Sequence, residues 1–555
     1  MRRYRVLAFS SFGFLVLAGL SGLALARLMN SMSTFRSPFR AEALPEAAAV
    51  GEAQTERLVI VLVDALRYDT SLDSHLMPTL VELRANGASA EMLARPPSYS
   101  EPTWATLLSG AYPEISGAPL LNLAYDELYS LPAETLFSVS HRAGLTTAVS
   151  GYNWFERMTP ASERDAGFFT AGEDHAADVA VLQAAQPWLA SRDHRLLLIH
   201  LDQVDYAGHH EGGPRDPHWA QAAARVDGML HSIVTQLDLE RDTLLVVGDH
   251  GQIDRGGHGG QDLEALSTVF VVAGAGVKPG DLGTIAMADV APTLATLLGV
   301  PLPSANQGHL LPILTTPPQF LSALAQQQTA LTQAYLAAIG QPGSTAGLAV
   351  AADPVAEAQA VMQHARDARL AGERLPRAVV SVAVLVLLTA AALRARRALA
   401  PLALPALSAV VLFHVLYVLI EQRTYSLSSV ESQTGILTAA GVNGLAGTLL
   451  GAALVTWQAW RRGERGVLVA QRLHLYTLLV AAMILPLLLP GYWDFGLRLT
   501  WTLPDFLFAF LAFLGLLQLL LTCSLGVVLP ALIGGGTHLL GRIGARAMRR
   551  SGQRP

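Results

Sequence analysis

The chain has 555 residues, of which 51% are hydrophobic and only 15% are charged, and its formal net charge is −6 at pH 7. This composition is too apolar for a wholly soluble protein, and no basic run in residues 50–310 offers a surface for nucleic acid. The single cysteine, Cys523, excludes an intrachain disulfide.

The first predicted element is the apolar segment 6–28, which follows three arginines among the first five residues. A signal peptide also begins in this way. The stretch is long, however, and no clear small-residue cleavage site follows, so the sequence favours an uncleaved transmembrane anchor over residues 1–28. Residues 29–55 are predicted to be a polar linker rich in Ala and Glu.

Three apolar strands come next, and each is followed by acidic or histidine side chains. They lie in RLVIVLVDALRYD (57–69), in RLLLIHLDQVDYAGHH (195–210) and before VVGDHGQIDRGGHGG (246–260). Strands that are apolar without alternation predict a parallel sheet covered by helices on both faces, with ligand sites past the carboxyl ends of the strands. The residues placed there are Asp64, then Asp205 and His209, then Asp249, His250 and His258.

Carboxylate and imidazole groups at three strand ends predict a metal centre. A single carboxylate after a strand is more often a helix cap or a turn former, and Asp-x-x-x-His alone is a weak signal. Three such ends at one sheet edge are hard to explain without metal, and the mixed ligands suit a borderline divalent cation such as zinc. His200, which lies within the second strand, is as compatible with the core as with a place beside the site.

A candidate nucleophile lies between the first two ligand strands, in PPSYSEPTWATLLSGAYPEISG (96–117). Ser100 begins a predicted helix, where exposed N–H groups and the helix dipole favour an anion, and a nearby metal would activate its hydroxyl. The alternative is that Ser100 only caps the helix. Thr103 is the reserve nucleophile or a phosphate-binding residue, and Arg67 would either steady a phosphate or form a structural ion pair.

The order of these residues resembles the alkaline phosphatase superfamily, in which two zinc ions flank a Ser, Thr or modified Cys. Within it the chain is most similar to the ethanolamine phosphate transferases of glycosylphosphatidylinositol anchor synthesis, which are type I phosphodiesterase/nucleotide pyrophosphatase-like. The similarity rests on VLVDALRYD, HLDQVDYAGHH, GDHGQIDRGGHGG and residues 287–308. It implies an α/β catalytic domain over residues 56–310, with a doubly wound, mostly parallel sheet and helices on both faces.

The resemblance also implies which residues would hold two divalent ions, expected to be Zn²⁺. One ion would take Asp205, His209 and His258. The other would take Asp64, Asp249 and His250, and Ser100 would lie between the two ions as a further ligand.

The implied function is a membrane-anchored phosphotransferase that moves a phosphoethanolamine-like group from a phospholipid to a glycolipid or surface glycan through phospho-Ser100. Two departures matter: those transferases mostly use Thr as the nucleophile, and this chain is shorter, so the acceptor could differ or be water. The alternatives are a phosphodiesterase or nucleotide pyrophosphatase-type hydrolase and a non-catalytic membrane assembly protein. A sulfatase is disfavoured because Trp104 stands where its motif has Arg.

The rest of the chain predicts a second membrane region. Residues 311–376 read as two helices that pack on the domain or form a stalk, and residues 377–540 as five transmembrane helices. The spans are expected at 377–393, 399–420, 433–460, 472–490 and 503–533.

Clusters of arginine give the predicted orientation. They lie between the first two of these spans, between the third and fourth, and in the basic tail 541–555, whereas the alternate loops are poorer in basic residues. With the N-terminal anchor this makes a six-span protein with both termini in the cytoplasm and the catalytic domain on the extracytoplasmic side.

Overall fold

The computed structural model describes residues 2–46, 51–430 and 432–550, with side chains from residue 7 to residue 539 apart from Gln433. Four residues of the predicted linker (47–50) and the end of the predicted basic tail (551–555) lie outside the described residues.

A mixed, mostly parallel sheet of eight strands forms the centre of the extramembrane part. The strand order is β4-β3-β5-β1-β6-β7-β2-β8, and β7 alone runs antiparallel to both of its neighbours. The strands are β1 (Arg57–Val63), β2 (Ala88–Leu93), β3 (Thr147–Tyr152), β4 (Ala166–Thr170), β5 (Leu196–Leu201), β6 (Asp242–Gly248), β7 (Ser267–Gly274) and β8 (Gly280–Ala286). This arrangement confirms the predicted α/β fold.

The central strands are buried on both faces, as their unbroken apolar sequences predict. In β1 the side chains of Leu58, Ile60 and Leu62 enter one hydrophobic core, whereas those of Val59 and Val61 enter the other. Helices cover both cores. In chain order, the α-helices from the N-terminus to the end of the extramembrane part are α1 (Arg2–Ser33), α2 (Pro78–Asn86), α3 (Ser100–Ser109), α4 (Pro113–Ser116), α5 (Leu136–Arg142), α6 (Trp154–Met158), α7 (His175–Ser191), α8 (Gln203–His210), α9 (Pro217–Val234), α10 (Leu263–Leu266), α11 (Val290–Leu298) and α12 (Pro318–Ala338).

The segment after the sheet packs on it rather than forming a free stalk. In α12, Phe320 and Leu324 join the hydrophobic core beneath the sheet, and so does Val355 in the next helix. The Gln328 amide also donates a hydrogen bond of 2.7 Å to the carbonyl of Asn306. The two predicted helices of residues 311–376 therefore belong to the body of the extramembrane part.

Five of the described helices are long and apolar enough to cross a membrane. The first is α1. The other four are α13 (Pro354–His414, extended to Ile420 by a π-helical turn), α14 (Gln433–Arg461), α15 (Val467–Ile484) with the short α16 (Leu489–Phe495) that follows it, and α17 (Phe506–Arg550). The expected spans at 377–393 and 399–420 both lie within the single helical segment α13.

The two ends of α13 nevertheless contact the same side of the helical bundle. In its first half, Arg377 donates a hydrogen bond to the carbonyl of Asp494. A few residues after Asp494, Trp501 packs in a hydrophobic cluster with side chains of the extramembrane part. Towards its end, Pro405 and Ala409 lie against Gly451 and Gly447 of α14, so this part runs antiparallel to α14 and back towards the sheet.

A straight helix of this length would span about 90 Å and could not return. The helix must therefore reverse direction between Arg377 and Pro405, a stretch that contains Pro401, which cannot donate a helical hydrogen bond. α13 thus contributes two antiparallel stretches to the helical bundle. The arginines at 394–397, which separate the two apolar stretches in the sequence, lie within the part of α13 where the direction reverses.

Candidate metal centre and nucleophile

The three predicted ligand strands are neighbours in the sheet, in the order β5-β1-β6, and all run parallel. Their carboxyl ends therefore meet at one edge. Asp64 directly follows β1 and Asp249 directly follows β6. After β5 the chain enters α8, which carries Asp205 and His209 one turn apart on one face.

Asp64, Asp249 and His250 form the first ligand group, and all three are buried. His250 Nε2 lies 3.4 Å from Asp64 Oδ1 and 3.3 Å from Asp249 Oδ2. His250 Nδ1 lies 3.1 Å from the carbonyl of Gly251, so a proton on Nδ1 is hydrogen-bonded and Nε2 presents its lone pair to the two carboxylates. The carboxylate of Asp249 is held in turn by the N–H of Ala65, at 3.0 Å, where the backbone takes the strained φ of +58°.

Asp205, His209 and His258 form the second group. Asp205 Oδ2 lies 3.5 Å from His209 Nε2, Asp205 Oδ1 lies 3.5 Å from His258 Nε2, and the two imidazole Nε2 atoms are 3.0 Å apart. His258 Nδ1 faces the carbonyl of Ser98 at 2.9 Å, and Gln252 donates 2.6 Å to Asp205. The ring of His258 is thus oriented by the carbonyl that holds its other nitrogen, and the carboxylate of Asp205 is held by the Gln252 amide.

The residues present fit two divalent cations. Asp64 Oδ1 is buried without a hydrogen-bond partner, as expected for a ligand oxygen. Burial, followed by the charge of Asp249, raises the pKa of Asp64, whereas burial lowers the pKa of His250 to about 4 and that of His258 to about 3. Neutral imidazoles and crowded carboxylates are the donor set that a cation such as zinc stabilises.

His250 lies within reach of both groups. Its ligand atom is within 4.8 Å of those of Asp64 and Asp249 and also within 4.8 Å of those of Asp205 and His258. A further group of the same kind joins Asp64 to His200 and Asp202. The chain therefore brings together every metal ligand that the sequence suggested and adds two residues next to them.

Ser100 is the first residue of α3, and Tyr99 occupies the capping position without a side-chain bond. The hydroxyl of Ser100 makes no capping bond; it lies 3.4 Å from His250 Nε2 and lines the cavity beside the ligands. The alternative of a pure helix cap is therefore not what the geometry shows. The buried position at a helix N-terminus and beside the shared histidine suits a nucleophile.

Thr103 and Arg67 do not line the cavity at Ser100. The hydroxyl of Thr103 lies 2.7 Å from the carbonyl of Tyr99, 3.0 Å from that of Ser100 and 3.5 Å from the ligand carboxylate Asp249 Oδ2. Arg67 forms ion pairs with Asp69 and, at 2.8 Å, Asp254. Neither side chain lines the cavity at Ser100, so the structural alternative that the sequence left open describes Arg67 better.

Trp104, His200 and Asn122 support the site; the sequence left the place of His200 open and gave no such role to Trp104 or Asn122. Trp104 Nε1 donates a hydrogen bond of 2.8 Å to Asp249 Oδ2, and His200 Nε2 lies 3.1 Å from Asp64 Oδ2. Asn122 accepts the N–H of Glu101 at 3.1 Å and lines the cavity. Only His200 had a local signal, its place two residues before Asp202 at a strand end.

A cavity of about 450 Å³ opens over these residues. Its lining combines the ligands with aromatic and acidic side chains, and no lysine or arginine is among the described residues that line it. The full lining is Asp64, Ser100, Trp104, Asn122, Tyr152, Trp154, Glu173, Asp202, Asp205, His209, His210, His258 and Ser432.

Residues 58–118 and 126–271 match the family of Type I phosphodiesterase / nucleotide pyrophosphatase. The sheet and the candidate metal centre lie mainly within these residues. The region that carries the sheet and the candidate metal centre is therefore of the type I phosphodiesterase/alkaline phosphatase superfamily.

Within that superfamily the chain is a distant homologue of the GPI ethanolamine phosphate transferases. It is 28% identical over 352 residues to the catalytic subunit of GPI ethanolamine phosphate transferase 3 of Mus musculus, covering 56% of this chain and 32% of that one. It is 29% identical over 275 residues to the catalytic subunit of GPI ethanolamine phosphate transferase 2 of Homo sapiens, covering 46% and 27%. The chain spans about a third of the length of the curated relatives it matches.

Among solved structures, murine ectonucleotide pyrophosphatase / phosphodiesterase 5 is similar, with a TM-score of 0.39 and 14% sequence identity. The match covers 44% of this chain and 96% of that one.

Proposed function

We propose that this protein is a membrane-anchored, metal-dependent phosphotransferase. It moves a phosphoethanolamine-like group from a phospholipid to a glycolipid or surface glycan through a phospho-Ser100 intermediate. Two divalent ions, expected to be Zn²⁺, would be held by Asp64, Asp249 and His250 and by Asp205, His209 and His258, with His250 within reach of both. When bound, they would supply a positive charge for the phosphate and lower the pKa of the attacking hydroxyl.

The observation that supports a lipid as the donor is an apolar cavity of about 300 Å³ that adjoins the candidate metal centre. It shares Asn122, His209, His258 and Ser432 with the cavity at Ser100. The rest of its lining comes from the N-terminal helix, the last helix and the loop before α14, mainly Met29, Met32, Leu427, Val430, Phe510 and Phe513.

An apolar cavity between apolar helices and a polar reaction site suits an amphipathic substrate. The glycerol and the start of the acyl chains would occupy the apolar cavity, and the phosphate would lie at Ser100. A water-soluble nucleotide has no acyl chain to fill this cavity. The position of the cavity therefore favours a phospholipid over a soluble diester.

The chain's own residues would carry the transfer as follows. Ser100 Oγ forms a bond to phosphorus while the bond from phosphorus to the diacylglycerol oxygen breaks. The proton of the serine hydroxyl leaves on the released alcohol. The N-terminus of α3 and the Asn122 amide stabilise the phosphate oxygens, and an acceptor hydroxyl then displaces Ser100 Oγ in the reverse sense.

The proposed orientation places the catalytic part on the extracytoplasmic side. In this proposal α13 counts as two passes, so that six passes would return both termini to the end opposite the sheet. The arginine clusters at 394–397, at 461–465 and in the C-terminal tail would then lie at that end, as a cytoplasmic position requires.

A hydrolase with the same site is the second candidate, and the description of the matched family favours it. Water would then replace the acceptor hydroxyl. A non-catalytic membrane protein would require that the ligand set hold no metal.

The test uses detergent-purified full-length protein, zinc and phosphatidylethanolamine labelled in its head group, with or without a mannose-containing glycolipid. Label on the glycolipid, or trapped on Ser100, supports the transferase. Free phosphoethanolamine regardless of the acceptor supports the hydrolase. A protein without bound metal and without turnover contradicts both.

The Ser100→Ala variant tests the nucleophile. We expect turnover to fall by roughly 10³-fold or more, because the attacking atom is removed, while the zinc content stays near that of the parent protein. Ser109→Ala, a buried serine at the other end of α3, is the control and should keep its activity. Undiminished turnover in Ser100→Ala would refute the assignment.

A further inference from the structure

We infer that Glu173, Asp202, Tyr152 and Trp154 form a subsite for a cationic amine on the wall of the cavity at Ser100. The group held there would carry an organic ammonium as well as a phosphate. This inference rests on the proposed phosphotransfer at Ser100, and it names the feature of the substrate that the metal ions alone would not select.

Asp202 is the first observation. Its side chain is only 7% exposed, yet among the described residues its carboxylate has no hydrogen-bond or ion-pair partner. Its backbone N–H is satisfied by Asp178 at 2.8 Å, so the residue is firmly placed while its carboxylate faces the cavity. A buried charge without a partner is costly and indicates a cation that binds there.

Glu173 supplies a second carboxylate on the same wall. Its Oε1 accepts the hydroxyl of Tyr152 at 3.0 Å, which fixes the side chain over the cavity. Among the described residues its other carboxylate oxygen makes no hydrogen bond. That oxygen is available to an ammonium donor, which has three N–H groups.

Aromatic rings complete the wall. The rings of Tyr152 and Trp154 lie 4.9 Å apart at 88°, and Trp104 lies 5.8 Å from Trp154. Aromatic rings beside carboxylates attract an organic ammonium through cation–π contacts. A metal ion would gain little from these rings, whereas an alkylammonium would contact both the rings and the carboxylates.

The charge balance of the cavity points the same way. Two divalent ions would offset the three carboxylates of Asp64, Asp205 and Asp249 and the single negative charge of a phosphodiester. Asp202 and Glu173 then remain, and no described lysine or arginine lines the cavity to neutralise them. A substrate with both an anionic phosphate and a cationic amine satisfies the whole site.

The competing occupant of Asp202 is a third metal ion. Ligand atoms of Asp64, His200 and Asp202 lie within 4.8 Å of one another. This alternative predicts three metal equivalents per chain and no preference for an amine. The experiment below separates the two occupants by metal content and by ligand chemistry.

The test measures binding to zinc-loaded full-length protein by calorimetry, so it needs no turnover. The probes are O-phosphoethanolamine and propyl phosphate, which has a methyl group in place of the ammonium. We expect phosphoethanolamine to bind about tenfold more tightly. In Glu173→Gln and Asp202→Asn the ratio should fall towards one, with two zinc ions per chain retained.

Glu156→Gln is the matched control, because Glu156 also accepts a tyrosine hydroxyl, that of Tyr125, and does not line the cavity. It should leave the ratio unchanged. Equal binding of the two probes by the parent protein, an undiminished ratio in Glu173→Gln, or loss of a third zinc ion in Asp202→Asn would overturn the inference. Selective amine binding without label transfer from phosphatidylethanolamine would keep the subsite and refute the proposed lipid donor.

Discussion

At the scale of single residues, Trp104 connects the candidate metal centre to the hydrophobic core. Its ring stacks on Phe155 with centroids 4.3 Å apart and 14° between the planes, and its indole N–H donates to Asp249. It is 1% exposed. A ligand carboxylate held by a rigid indole loses little freedom when a cation binds, so the indole contributes to metal affinity without touching the metal.

We therefore expect Trp104→Phe to weaken zinc binding by about 10- to 100-fold, since the ring stack stays and only the hydrogen bond is lost. Zinc affinity is measured by competition with a chelator. The control is Trp219→Phe, which removes an indole hydrogen bond to Thr70 elsewhere in the fold and should not alter zinc affinity. Equal affinities in the two variants would show that the contact does not aim Asp249.

At the scale of elements, the start of α13 is tied to the sheet by a histidine. His309 Nδ1 lies 3.4 Å from Asp289, and its Nε2 lies 3.3 Å from Asp353, the N-cap of α13. The hydrogen bond to Asp289 raises the pKa of His309 above its usual value, although burial opposes this, and Asp353 adds to the rise. The charged histidine thus joins α13 to the loop that carries Asp289.

The ion pairs of His309 with Asp289 and Asp353 should weaken as the pH increases. Because the folded pKa of His309 is raised, its stabilising contribution is complete below the ordinary histidine pKa of about 6.5 and is lost as pH rises through the folded pKa. The histidine is 42% exposed, so the effect should stay below about 1 kcal/mol.

Hydrogen exchange at residues 354–362, corrected for intrinsic rates, should show less protection at pH 8.5 than at pH 5.5. His309→Gln should abolish this difference. The control is His218→Gln, which removes a histidine that pairs with the N-cap of another helix, α9. It should leave the difference in protection between the two pH values unchanged. Protection that does not depend on pH in the parent protein would contradict the prediction.

At the scale of the whole molecule, the loop that carries His258 is held against the membrane region. The N–H of Gly260 donates 3.1 Å to the hydroxyl of Ser428, and Gln261 donates 3.1 Å to the carbonyl of Tyr425. A Cβ at Gly260 would lie 1.7 Å from Ser426 Oγ, so no larger side chain fits. The same loop before α14 carries Leu427 and Val430, which line the apolar cavity.

Gly260→Ala should therefore separate the two parts and deform the apolar cavity. We expect turnover of a lipid donor to fall by roughly tenfold or more, because sub-ångström placement at the site is lost. The control is Gly228→Ala in α9, where nothing lies within 4 Å of the added methyl group. Unchanged turnover of the lipid donor in Gly260→Ala would show that this contact does not position the substrate.

Much of the fold and the candidate site was predictable because the signals are local. The unbroken apolar runs of β1, β5 and β6 are a direct consequence of burial on both faces, and the polar residues that follow them lie at one edge for the same reason. Apolar length alone also predicted helices able to cross a membrane, although the continuity of α13 was missed because charged residues interrupt its hydropathy.

The sequence by itself determined the types of ligand, the helix that presents Ser100 and the apolar helices, since each depends on neighbours within a few residues. Only the tertiary structure decided that Trp104 contacts Asp249, 145 residues away, that His250 lies within reach of both ligand groups and that Asp202 faces the cavity with no carboxylate partner among the described residues. It also decided that the apolar cavity adjoins the metal centre. These relations depend on how distant segments pack, and spacing along the chain carries no record of them.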